Sequence, residues 1–106
     1  MPPDANLGDF NIEGLDEVIH GRLRLGIMAY LSSAETADFN ALKARLQATD
    51  GNLSVHLRKL EDAGYVAIDK QFVGKKPLTT VTLTEPGRSA FIRYLDAMAR
   101  LVNAQT

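Results

Sequence analysis

Leu53, Leu57 and Leu60 are spaced so that a helix would carry all three on one stripe, and the segment holding them has both of its ends marked. Thr49 offers a side-chain oxygen to the first free amides of such a helix, Asp50 puts a carboxylate at its positive end, and Gly64 follows Ala63 where the stripe stops. The pattern predicts a helix over roughly 50–63. Turning about 100° per residue, the side opposite the leucines carries Gly51, Val55, Arg58 and Asp62. Asn52 and Lys59 flank that side on one edge and Ser54 on the other, with His56 nearer the core edge. The leucines need other elements to bury them, whereas the far side is suited to water or to a partner.

The rest of the chain supplies those elements. Leu15, Val18, Ile19, Leu23, Ile27, Met28 and Leu31 recur at helical spacing and predict an amphipathic helix over roughly 15–32, with a kink or break at His20-Gly21. Asp38 caps a short helix over 39–46, in which Phe39, Leu42 and Leu46 share a face while Lys43 and Arg45 point elsewhere. Such a short helix is unstable alone and must dock on its neighbours. Gln47 to Gly51 makes a tight connection to the next helix.

Residues 65–72 and 78–83 read as two strands, joined through Val73-Gly74-Lys75-Lys76-Pro77 into a hairpin with a basic tip. Thr84 caps a last helix over about 85–103, with Pro86 in its first turn. Its apolar face, widened by Ile92 and Tyr94, is broad for the edge of a small domain. Burial shared with a second copy is therefore expected, through Leu15, Ile19, Phe91, Tyr94, Leu95, Met98, Leu101 and Val102. Residues 1–13 read as a flexible arm, and 14–104 as one domain that includes this dimerisation helix.

Charge is distributed unevenly. The net charge of −1 over 106 residues hides −5 in residues 1–40, +3 in 41–76 and +1 in 77–106. The positive excess thus lies around the leucine-backed helix and the hairpin. The chain has no cysteine, so neither disulfides nor thiolate metal sites can form. The first residues lack a basic start and apolar run, and no stretch is long enough to span a membrane, so a cytoplasmic location is expected. His20 and His56 are the only histidines and are far apart, which predicts no metal site, and no cofactor motif is present. Gly74-Lys75-Lys76-Pro77 lacks the glycine and hydroxyl residue of a phosphate loop. Asp16-Glu17 and Glu61-Asp62 are adjacent pairs that read as solvated surface, and no catalytic arrangement emerges.

Helix, short helix, turn, helix, hairpin, helix is the order of a winged helix-turn-helix. The expected class is α+β and mostly α, with a two-stranded wing and a C-terminal dimerisation helix. A major groove admits one α-helix, braced by a short one before it, while a basic hairpin reaches phosphates or the minor groove. Asp50, Gly51, Asn52, Ser54, Val55, Arg58 and Lys59 on the helix, with Lys75 and Lys76 on the hairpin, are the candidate DNA contacts. Asn52 suits adenine, and Val55 suits a thymine methyl.

The run from Thr49 to Val66, TDGNLSVHLRKLEDAGYV, resembles the recognition helix and first wing strand of MarR/ArsR-type regulators. Arg22 to Leu31 resembles their first helix, and Thr82-Leu83-Thr84-Glu85-Pro86-Gly87-Arg88 their junction between wing and last helix. The resemblance spans about residues 15–103 and is closest to the compact MarR-like subgroup. It implies a homodimer on two-fold symmetric DNA, with room for an unidentified small-molecule effector between the last helix and the DNA-binding core. Transcriptional repression by promoter occlusion is the simplest output for a chain without a separate activation domain. A winged-helix module that binds proteins instead of DNA stays open at this point.

Overall fold

The computed structural model describes residues 10–103. Of the arm expected over 1–13, residues 1–9 lie outside the described residues, as does residue 104 at the other end. A 3-10 turn at Ile12–Gly14 leads into the fold. Then come α1 (Arg22–Ala34), β1 (Thr36–Asp38), α2 (Phe39–Leu46), α3 (Asp50–Asp62), β2 (Val66–Val73), β3 (Lys76–Leu83) and α4 (Glu85–Val102).

Three helices begin on the caps legible in the sequence. Asp38 accepts from the Ala41 amide at 2.6 Å, Thr49 from that of Asn52 at 3.1 Å and Thr84 from that of Gly87 at 3.0 Å. Each satisfies an amide that has no partner within its helix. Leu53, Leu57 and Leu60 of α3 are buried together with Ile27, Met28 and Leu31 of α1, Leu42 of α2, Val66 and Val81 of the sheet, and Ala90 and Phe91 of α4. One core therefore fastens every major element.

The helix expected over 15–32 is broken. Gly21 is extended at φ −166° and only caps α1. Residues 15–20 fold as turns held by Asp16, whose Oδ1 accepts from the amides of Val18 at 2.8 Å and Ile19 at 3.2 Å. Its Oδ2 accepts from the Tyr65 hydroxyl. Asp16 is thus a half-buried brace, not the solvated surface its neighbour Glu17 suggested. A short side chain that bonds amides just ahead of it competes with helix formation, and here it prevails.

The sheet also exceeds the expected two strands. Its order is β1-β3-β2, all antiparallel, with Thr36–Asp38 paired to Thr82–Thr80. A strand so short carries no alternation to read in the sequence. Its pairing is supplied by β3.

Gly87 marks a close approach. A Cβ there would lie 2.1 Å from the Tyr65 carbonyl oxygen, so only glycine lets α4 seat against the start of the hairpin. Thr84 locks the same junction, donating its hydroxyl to the Gly64 carbonyl at 2.6 Å.

Candidate nucleic-acid interface

The α2–α3 connection turns through Gln47, left-handed at φ 52°, and is clipped by the Ala48 amide donating to the Lys43 carbonyl at 3.0 Å. An ion pair of 2.8 Å between Lys43 Nζ and Asp50 spans it. With its leucines in the core, α3 turns Asp50, Gly51, Asn52, Ser54, Val55, Arg58 and Lys59 outward, and all seven are exposed. Val55 is 54% exposed, an apolar side chain left bare in the middle of a polar face. Nothing lies within 4 Å of where a Gly51 Cβ would stand.

The two flanks of α3 differ. On one, His56 Nδ1 accepts from Arg24 Nη1 at 2.8 Å, while Arg24 Nε donates to the Val18 carbonyl. Arg24 has only donors, so His56 must be neutral with Nδ1 unprotonated. Burial, then the charges of Arg24 and Lys59, hold its pKa below the ordinary histidine value. His20 plays a separate part, with Nδ1 2.7 Å from the Tyr94 hydroxyl. Among the described residues, no group of three or more His, Asp or Glu side chains is placed to hold a metal ion.

On the other flank lies a cleft of about 620 Å³ between α3 and the sheet. Ser54, Arg58 and Glu61 line its helix side, and Ile68, Lys70 and Thr79 its sheet side. The register explains which wing residues face it. Cross-strand partners share a face, so Ile68–Val81, Lys70–Thr79 and Phe72–Pro77 form one row. Val73 and Lys76 form a pair on the opposite face. Lys75 stands in the turn itself. Lys75 and Lys76 are both exposed as the sequence suggested, but they differ in aspect: Lys76 faces away from α3. Lys70, which sequence reading passed over, faces toward it. Only the pairing register distinguishes them.

The residues expected at a partner interface also separate. Ile19, Phe91 and Tyr94 are buried inside the single chain and build its own core. Leu15 and Met98 are half-buried against that core, and Leu101 is half-buried. Leu95 at 48% and Val102 at 70% exposed remain open, and Ile92 at 60% joins them on the same stripe of α4. The wide apolar face of this helix is therefore two stripes, one for the protomer and one left bare.

Residues 23–102 match the family model of the winged helix DNA-binding domain, and the chain belongs to that family. An uncharacterised protein of Methanocaldococcus jannaschii is 36% identical over 85 residues, 80% of this chain and 92% of its own. A transcriptional regulator homologue from Pyrococcus horikoshii OT3 has the same fold, with a TM-score of 0.78 and 31% identity, covering 83% of this chain and 87% of that one. A MarR-family transcriptional regulator from Silicibacter pomeroyi shares the fold at a TM-score of 0.65 and 20% identity, over 97% of this chain and 73% of its own. The resemblance to MarR/ArsR-type regulators thus extends to the fold, which the chain shares with transcription regulators. Among the described residues, no helix is long and apolar enough to cross a membrane.

Proposed function

We propose that this chain is a sequence-specific regulator that binds double-stranded DNA as a homodimer and represses by occluding promoters. The observation that carries this reading is the open outward face of α3, where short polar groups precede two long cations. Asn52, Ser54 and Val55 read base edges in the major groove, and Arg58 and Lys59 reach its phosphates. Asp50 is already paired with Lys43, so its remaining use is to accept from a cytosine amino group. Lys75 at the wing tip meets the neighbouring backbone or minor groove, and Lys70 adds a cation between helix and wing. The bare stripe Ile92, Leu95 and Val102 packs against its copy on a second protomer. The two α3 helices then sit about 34 Å apart, on half-sites roughly 10 base pairs apart.

Selection from a random duplex pool with the purified chain tests this directly. The expected product is a rough palindrome, bound with an affinity that falls on the order of 10³-fold between 50 and 200 mM salt. A pool that fails to enrich, with no binding at low salt, overturns the reading in favour of a protein-binding module.

A further inference from the structure

Phe72 is 73% exposed near the wing tip, an odd place for a phenyl ring in a water-facing hairpin. Val73 beside it is 62% exposed, but the two point to opposite faces. Phe72 pairs across the hairpin with Pro77, in the row that runs from Ile68 through Lys70 beside α3. The apolar pair is flanked by Lys70 in the same row and Lys75 in the turn, which favours an anionic occupant over an apolar one. Reach also fits. Six residue steps lead from Ile68, beside α3, to Gly74 at the tip, or about 20 Å of extended chain. That approximates half of the roughly 34 Å turn of duplex DNA, the distance from one groove to the next.

We infer that Phe72, backed by Pro77, is an apolar wedge that enters the minor groove of the same duplex whose major groove receives α3. This rests on the proposed DNA-binding function and deepens it. The ring packs on sugars and base edges in the groove, and Lys70 and Lys75 beside it meet the flanking phosphates. Apolar side chains between base steps unstack them and bend the duplex. The wedge therefore favours deformable pyrimidine–purine steps flanking the half-site. Its contribution to affinity releases no counterions and is insensitive to salt, unlike that of Lys75.

The chain has no tryptophan, so Phe72→Trp places its single tryptophan, excited apart from the three tyrosines, at the wedge. With a selected duplex, wild-type affinity is followed by anisotropy of labelled DNA and wedge burial by acrylamide quenching of Phe72→Trp. On saturation with DNA, quenching should fall and emission should shift. Phe72→Ala should weaken binding about tenfold, the scale of burying a phenyl ring, with its salt slope unchanged. Val73→Ala, on the opposite face, should bind as wild type.

Wild-type binding with undiminished quenching of Phe72→Trp overturns the wedge while leaving the DNA-binding function standing. Loss from Val73→Ala equal to that from Phe72→Ala overturns it too. Concentration-dependent protection of the tryptophan without DNA assigns the ring to a protein contact and rejects the wedge. Absence of any wild-type binding rejects both readings.

Discussion

His56 is held neutral between Arg24 and Lys59, and that has a consequence for stability. Its folded pKa is lowered, so the unfolded chain, with an ordinary histidine near 6.5, takes up the proton first as pH falls. Its stabilising contribution is therefore complete above about pH 6.5 and is lost as pH drops through the folded pKa. Denaturant midpoints should decline from pH 7.5 to 5.5. They should decline less in His56→Gln, whose amide oxygen still accepts from Arg24. Equal declines would assign the pH dependence to other groups. Gly51 offers a second residue-level test, because the protein itself leaves open space beside it. Gly51→Ala should raise the stability of the free chain by roughly 0.5–1 kcal/mol, through helix propensity. The same methyl should weaken DNA binding if the α3 backbone lies close to base edges. A higher melting temperature with unchanged affinity would move Gly51 out of the interface.

The elements differ in how plainly they could be read. The caps at Asp38, Thr49 and Thr84 specify three helix starts, because each acts on amides only three residues away. Apolar spacing over-extends the first helix, because it continues through Leu15, Val18 and Ile19 where Asp16 and Gly21 turn the backbone. β1 is invisible in the same way, being defined by its partner strand. The junction of α4 with the hairpin depends on Gly87 being bare. Gly87→Ala should destabilise the fold by roughly 1–3 kcal/mol through forced displacement, measured by urea unfolding. A neutral result would mean that α4 shifts without loss.

At the scale of the molecule, one chain buries Ile19, Phe91 and Tyr94 for itself and leaves Ile92, Leu95 and Val102 bare. Leu95→Asp should leave the protomer folded by circular dichroism, since this residue is 48% exposed, while dissociating the proposed dimer in sedimentation velocity. Unchanged sedimentation at low concentration would remove this stripe from the interface. Sequence periodicity alone could not divide the α4 face, because core and partner both demand apolar side chains at helical spacing. The division comes from where neighbouring elements end.

What the order of residues determined unaided was local: the caps, the leucine stripe of α3, its polar far side, and the helix-and-hairpin order that together define a winged helix. These follow from interactions spanning a few residues and from simple periodicity. Tertiary structure decided which face of the wing turns toward α3, so that Lys70 and Phe72 lie on its side and Lys76 does not. It also decided that Asp16 bonds Tyr65 and that Arg24 bonds His56. Such relations depend on strand register and on contacts between distant segments, which no local pattern encodes.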